Sequence, residues 1–192
     1  IFFICSFILG HMNGVENIYE LEENIASNGM NFFFISKGKT DIVKIVQYLY
    51  VEDLNGTKVY NLGFGDYDLE EDIILDDINT NNGDVYKVFN TVLSTIPVFF
   101  KNYEHALLMV SGSDGRPDFL ESCKITCSKK CVSDCKNFNR RINIYRAYVN
   151  KNIEVLALEY QFLGGIKKQG QQMVIERYDP GKKYDSVLLF KK

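Results

Sequence analysis

Four cysteines recur at every fourth position in the second half of the chain: Cys123, Cys127, Cys131 and Cys135. Four thiolates can supply the complete tetrahedral shell of a zinc ion, with Zn–S bonds of about 2.3 Å. On one uninterrupted helix the outer two sulfurs would lie about 18 Å apart, because each residue rises by about 1.5 Å. The segment must therefore fold back near residues 128–130, so that each Cys-x3-Cys half offers two ligands to one metal.

The spacing of these cysteines matches none of the usual zinc-finger patterns. Two disulfides, reduced thiols and an iron–sulfur cluster therefore stay open as alternatives to zinc. A zinc shell made of four cysteines is closed, since it leaves no position for a substrate. The sequence predicts a structural Zn²⁺ site that braces a small Cys-rich knob and carries out no hydrolysis.

Basic side chains surround the cysteines and continue into the segment that follows, with aromatic residues between them. Phosphate contact and base stacking need such a surface. Side chains of this kind also form the ordinary solvated faces of short helices. We expect a protein partner for this surface, with nucleic acid as the alternative. The candidate binding residues are Lys129, Lys130, Lys136, Arg140, Arg141, Tyr145 and Arg146.

Few residues are suited to catalysis. The two histidines are His11 and His105, and a Ser113–His105–Asp114 set has no spacing that indicates a catalytic triad. A small polar loop can cradle an anion with its backbone N–H groups, although it matches no phosphate-loop pattern. This possible anion loop consists of Ser111, Gly112, Ser113 and Arg116. A non-enzymatic binding module is the leading hypothesis, and a hydrolase or nuclease-like enzyme is the weaker alternative.

Composition indicates a folded protein with no strong general attraction to polyanions. The chain has 192 residues, 46% of them hydrophobic, and a formal net charge of -3. This length suits one domain, which we place at residues 12–192. A chain with this charge needs a local basic patch to bind nucleic acid or an anionic membrane.

The first residues, IFFICSFIL, are apolar except for Ser6. They are too few to cross a bilayer, which takes about 20 residues, and they lack the charged leader and cleavage site of a signal peptide. We expect Met12 to be the natural start and residues 1–11 to be non-native or upstream sequence. The predicted compartment is then the cytoplasm, with no membrane contact unless residues 1–11 are a native hydrophobic segment.

The pattern of apolar residues predicts an α+β fold. Helical spacing predicts a long helix over about residues 84–102, with Asn82 or Asp84 capping its start and Pro97 kinking it or ending it early. A second helix is predicted over about residues 140–151. Both should pack against a bent, mostly antiparallel sheet of about six or seven strands.

Runs of β-branched and aromatic residues mark the candidate strands. The three candidate strands that follow a polar break at 24–29 should form an antiparallel meander, because Asn55-Gly56 is a strong hairpin turn. A short edge strand should follow within an acidic connection. The candidate strands are residues 17–21, 31–36, 42–51, 58–64, 73–75, 106–110, 154–163, 173–178 and 186–190.

Several modest motifs resemble a small bacterial α+β domain family of unknown function. They are FFFISKG (Phe32–Gly38), NLGFGD (Asn61–Asp66), NNGD (Asn81–Asp84), the Gly112-Ser113 pair, Arg141-x3-Tyr145 and the terminal LLFKK. The resemblance implies a bent antiparallel sheet packed against helices, and it implies no activity, cofactor or catalytic residue. Residues 115–139, which contain the four clustered cysteines, look like an insertion into the shorter members.

Overall fold

The structure, a computed structural model, describes residues 17–75, 82–127, 129, 131, 134–168 and 172–192. These residues contain nine β-strands and three α-helices, so the observed class is α+β. The chain divides into two compact units, one of residues up to Leu107 and one from Leu108 to Phe190. The prediction of a single domain over residues 12–192 stays a prediction, and residues 1–11 lie outside the described ranges.

The first unit is built on an antiparallel meander, as the sequence predicts. Its strands follow one another in chain order, and the short edge strand lies where the acidic connection predicts it. They are β1 (Glu22–Ala26), β2 (Gly29–Ser36), β3 (Ile42–Leu54), β4 (Thr57–Asp68) and β5 (Ile73–Leu75).

A tight turn joins β3 to β4. Asn55 and Gly56 both have positive φ angles, 50° and 82°, as a type I′ hairpin turn requires. Asparagine and glycine adopt this backbone at low cost, so the predicted turn is confirmed.

The prediction of a first strand at residues 17–21 is wrong, and the predicted polar break contains β1 instead. The backbone N–H of Tyr19 donates to Thr91 Oγ1 at 2.9 Å, so this segment bonds to a helix. Four of the five residues of β1 are exposed. An edge strand of this kind pairs through its backbone, and its polar side chains give no strand signal.

Helix α1 (Val85–Asn102) confirms the predicted long helix. It continues through Pro97, so of the two predicted effects of this proline, a kink or an early end, the early end does not occur. Phe99 and Phe100, beyond the proline, are fully buried. Burial of two large aromatic side chains contributes more than the loss of one backbone hydrogen bond costs.

An aromatic core holds α1 against the meander. The ring of Phe99 stacks on Tyr48 with centroids 4.4 Å apart and contacts Tyr60 edge-on at 5.4 Å. The Tyr48 hydroxyl pairs with Thr95 Oγ1 at 2.6 Å. Because this buried hydroxyl has a partner, the core accommodates tyrosine without an unsatisfied polar group.

The second unit combines four strands with two helices. Its strands lie side by side in the order β6-β9-β7-β8. A single 3₁₀ turn, Ser113–Gly115, links the first strand to the first helix. The elements are β6 (Leu107–Ser111), α2 (Pro117–Thr126), α3 (Arg140–Leu156), β7 (Tyr160–Ile166), β8 (Val174–Arg177) and β9 (Ser186–Lys191).

Three predictions for this unit need correction. Helix α2 was not predicted, α3 extends beyond residue 151, and the strand predicted over residues 154–163 begins only at Tyr160. Short apolar runs fit both helical and strand spacing, which explains why residues 154–156 were predicted as a strand although they are helical. The predicted total of about six or seven strands is too low, since the described residues form nine.

Ile142 and Val149 are the buried residues of α3, and their spacing of seven positions places them on one face of the helix. Among the helices of the described ranges, none is long and apolar enough to cross a bilayer.

Candidate functional site

The four clustered cysteines lie at the end of α2 and in the segment after it, and their sulfurs form two close pairs. Cys123 Sγ and Cys135 Sγ are 3.5 Å apart, and Cys127 Sγ and Cys131 Sγ are 3.8 Å apart. Helix α2 ends before Cys127, whose backbone is extended. The chain therefore folds back, as predicted, and the pairing is nested: the outer two cysteines meet, and so do the inner two.

Nitrogen donors surround the sulfurs. The Lys136 N–H donates to Cys131 Sγ at 3.4 Å, and the Asn137 side-chain amide donates to Cys123 Sγ at 3.6 Å. Backbone N–H groups of Lys129 and Asn137 bond to Cys127 and Cys135, respectively. Donors of this kind stabilise a thiolate more than a thiol, because the anion is the better acceptor.

Three of the thiols have shifted pKa values. The Lys129 N–H lowers the pKa of Cys127, and the Asn137 N–H lowers the pKa of Cys135. The Asn137 amide also lowers the pKa of Cys123, but the Cys135 thiol and burial outweigh it, so that the net pKa of Cys123 is raised. Two of the three thiols are thus shifted toward the form that binds a metal.

A complete metal shell is not seen in the described part of the chain, where no group of three or more histidine, cysteine, aspartate or glutamate side chains has the arrangement of a metal site. The cysteines instead form two pairs that interact electrostatically, since Cys127 affects both Cys123 and Cys135. The zinc site and the knob stay predictions. All four clustered cysteines are free thiols, with no disulfide bond between them.

The predicted basic surface around residues 124–151 is divided among several environments. Lys129, Lys136 and Arg140 are exposed, whereas the Arg141 guanidinium donates to Ser113 Oγ. Burial raises the pKa of Tyr145, a residue of intermediate exposure. Lys130 lies outside the described residues.

The predicted anion loop is filled by a carboxylate of the chain itself. Asp114 is buried, and its Oδ2 accepts the backbone N–H of Arg141 at 2.8 Å. A Cβ on Gly112 would lie 2.6 Å from Asp114 Oδ1. Asp114 therefore caps the start of α3 from another segment, because a carboxylate satisfies a free N–H and opposes the positive end of the helix dipole.

Other members of that loop also have protein partners. The Arg116 guanidinium lies 3.6 Å from the Asp118 carboxylate at the surface, and Ser113 Oγ accepts the bond from Arg141. The proposed catalytic use of Ser113 and Asp114 is likewise opposed by their bonds to Arg141. An anion at this loop would have to displace the Asp114 carboxylate.

Sequence reasoning missed a second polar site, in the first unit, which we call the Asp84 cluster: Tyr19, Ser36, Asn82 and Asp84. Tyr19 Oη and Ser36 Oγ each donate to Asp84 Oδ2 at 2.7 Å. Asn82 Nδ2 donates to Ser36 Oγ at 3.0 Å. The carboxylate thus binds side chains far along the chain and forms no side-chain cap of α1, so the predicted capping role is wrong.

A buried ion pair lies near this cluster. The Lys44 ammonium pairs with the Asp66 carboxylate across β3 and β4, and both side chains are buried. Lys44 also lowers the pKa of Asp84 through its charge. Ser36, Asp66 and Asp84 belong to three of the motifs on which the family resemblance rests, and those motifs were the available signal for this site.

We expect the Asp84 cluster to make stability depend on pH. Burial raises the pKa of Asp84, but the hydrogen bonds from Ser36 and Tyr19 lower it by more, so that the net pKa is below its ordinary value. Above the unfolded value of about 4 the carboxylate stabilises the fold, and this contribution is lost as the pH falls through the folded value.

Asp84→Asn is expected to be about 1 kcal/mol less stable than the wild type at pH 7, because an ionised acceptor forms the stronger hydrogen bonds. Urea unfolding measured from pH 7 down to pH 3 should show this difference shrinking. Asp41→Asn, at an exposed position of the same unit, is the control and should show neither effect. A difference that stays constant with pH would contradict the assigned role of the charge.

The fold and these two sites define an α+β protein with a four-cysteine segment and a separate, half-buried polar cluster. The chain belongs to DUF6934, a family of unknown function, whose family model matches residues 16–130. The match includes Cys123 and Cys127 and ends before Cys131. No curated protein and no solved structure matches the chain.

Proposed function

We propose that the protein is a non-enzymatic binding module in which Cys123, Cys127, Cys131 and Cys135 hold one structural Zn²⁺ ion. In this proposal, the metal braces the segment around α2 for contact with a protein partner. The observation that carries the proposal is the distance within each sulfur pair, 3.5 and 3.8 Å.

The expected distance between two ligands of a zinc ion follows from its geometry. In a tetrahedron with Zn–S bonds of about 2.3 Å, the sulfurs are about 3.8 Å apart. A disulfide would bring them to about 2.05 Å. The sulfurs of each pair are therefore separated by about the length of one edge of such a tetrahedron, and metal binding needs the two pairs to close into one shell. The N–H donors on the sulfurs resemble the outer hydrogen bonds that orient metal ligands.

The packing of α2 supports the same proposal. Among its side chains that the structure describes, Cys123 is the only buried one, with 8% exposure. A helix without a buried apolar face gains little from the hydrophobic effect. Metal coordination supplies the stabilisation that such a segment lacks, as it does in small zinc domains.

The exposed face of α2 supports a protein partner. Ile125 is 86% exposed, and Lys124 and Lys129 beside it are also exposed. An apolar side chain flanked by charges suits the core and rim of a protein interface better than a phosphate contact. Binding to nucleic acid whose affinity falls steeply as the salt concentration rises would favour the alternative, a nucleic-acid-binding protein, because phosphate contacts release counterions.

Metal analysis tests the proposed site. Protein purified under reducing conditions is expected to contain one equivalent of zinc, and a variant with all four cysteines changed to serine should contain none. Cys5→Ser is the matched control, since it removes a cysteine outside the cluster, and it should keep the zinc. The metal should also hold the thiols against oxidation, as a cytoplasmic zinc site does.

Each other result identifies an alternative. Visible absorbance with bound iron would indicate an iron–sulfur cluster. Two disulfides without metal, or four titratable thiols without metal, would overturn the zinc proposal. Zinc retained by the four-serine variant would place the metal elsewhere.

A further inference from the structure

A cleft of about 390 Å³ opens beside the first turns of α3. It lies within the second unit, between α3 and the segment before β9. The residues lining it include Asn139, Asn143, Arg146, Lys183, Tyr184 and Asp185. The cleft is separate from the cysteines and from the Asp84 cluster, and nothing in the proposed metal site uses it.

The Arg146 guanidinium is held in a fixed orientation at this cleft. One terminal nitrogen donates to Asn143 Oδ1 at 3.0 Å, and the other donates to the Lys182 carbonyl at 2.9 Å. Its Nε is buried and has no hydrogen-bond partner among the described residues. Neutral oxygens position this group, and no carboxylate of the described chain forms an ion pair with it.

A second cation lies at the same cleft. Lys183 is exposed, and no hydrogen bond or ion pair of the described residues uses its ammonium group. The carboxylate that lines the cleft, Asp185, accepts the Lys167 N–H through its Oδ2 at 2.7 Å. The two cations therefore outnumber the one anion, and the positive charge of Arg146 is not neutralised locally.

The Arg146 guanidinium has spare donors, because each terminal nitrogen carries two hydrogens and donates only one of them to the oxygens of Asn143 and Lys182. Leaving a buried donor unpaired is unfavourable, and a charged acceptor gives the strongest replacement for water. The planar fork of arginine matches the oxygens of a phosphate group, and a nearby lysine adds a point charge. Tyr184 closes one wall of the cleft, since only 3% of it is exposed.

We propose that this cleft binds a phosphate-type oxyanion, with Arg146 as the orienting ligand and Lys183 as the second cation. The remaining terminal N–H groups of Arg146 and the ammonium of Lys183 donate to oxygens of the anion. The group can belong to free phosphate or to a phosphorylated small molecule, because both present the same oxygens. This site contains none of the cysteines, so the proposed anion binding and the proposed metal binding can be tested independently.

The test is a titration of the full chain with inorganic phosphate, in which two-dimensional amide NMR spectra report binding. A reference titration uses sodium chloride at the same ionic strength. Saturable shifts are expected at residues 139–146 and 183–185. Arg146→Gln should weaken binding by about tenfold or more, as the loss of a charged hydrogen bond predicts. Lys151→Gln is the control on an exposed position of the same helix, and its affinity should stay within twofold of the wild type.

A second variant covers the possibility that Arg146→Gln disturbs the chain around Lys182. Lys183→Gln removes an exposed ammonium without internal partners and should weaken binding several-fold while leaving the amide spectrum otherwise unchanged. Repeating the titration with a phosphorylated sugar and its unphosphorylated form distinguishes the two sources. Tighter binding of the phosphorylated sugar than of free phosphate would indicate the small molecule. Equal shifts in phosphate and chloride, or shifts that survive both substitutions, would overturn the proposal.

Discussion

Removing the zinc ion that we propose for the cysteine cluster, under reducing conditions, is expected to unfold residues 117–139 while the meander of the first unit stays folded. Binding of structural zinc contributes about 10 kcal/mol or more to the folding of small zinc domains. Within α2, Cys123 is the only buried side chain among those described. Without the metal, the segment has too little buried apolar surface to offset its conformational entropy.

Hydrogen exchange read by mass spectrometry measures this effect. After chelation, peptides from residues 117–139 should exchange as fast as an unstructured chain, and peptides from β2, β3 and β4 should keep their protection. The four-serine variant provides the metal-free reference and should already show fast exchange at 117–139. Unchanged protection of this segment after complete loss of zinc would show that the metal does not brace it.

Lys44→Ala is expected to destabilise the first unit by about 3–5 kcal/mol, because it leaves the Asp66 carboxylate buried without its partner. Lys44 and Asp66 face each other across β3 and β4, with relative exposures of 6% and 7%. A buried charge that loses its counterion keeps its desolvation cost and loses the attraction that offset it. The free energy of unfolding follows from the urea dependence of amide exchange in these strands.

Two comparisons separate the loss of the ion pair from general damage to the sheet. Lys58→Ala removes an exposed lysine of β4 and should change stability by less than about 0.5 kcal/mol. The double variant Lys44→Met with Asp66→Val replaces both charges by apolar groups and should recover most of the loss, since such replacements are often neutral. A double variant no more stable than Lys44→Ala would mean that the ion pair itself stabilises the unit.

Local patterns in the sequence predicted the elements whose structure depends on near neighbours. The 3.6-residue spacing of apolar side chains indicated α1, and Asn55-Gly56 predicted the hairpin turn between β3 and β4. Regularly spaced cysteines predicted that the chain folds back, and the 3.5 Å between Cys123 Sγ and Cys135 Sγ agrees with this. For the helix and the hairpin turn, the deciding interactions connect residues only a few positions apart, so the sequence alone contains the signal.

Only the tertiary structure decided which distant groups meet. Asp84 was predicted to cap α1, yet its carboxylate bonds to Tyr19 and Ser36, 65 and 48 positions away. Asp114 fills the loop that was expected to receive an anion, and the unpredicted β1 forms by pairing with β2. Which partner a polar group takes depends on which of them burial brings together and leaves without water. That selection is made by packing across the whole unit, and no local pattern of residues encodes it.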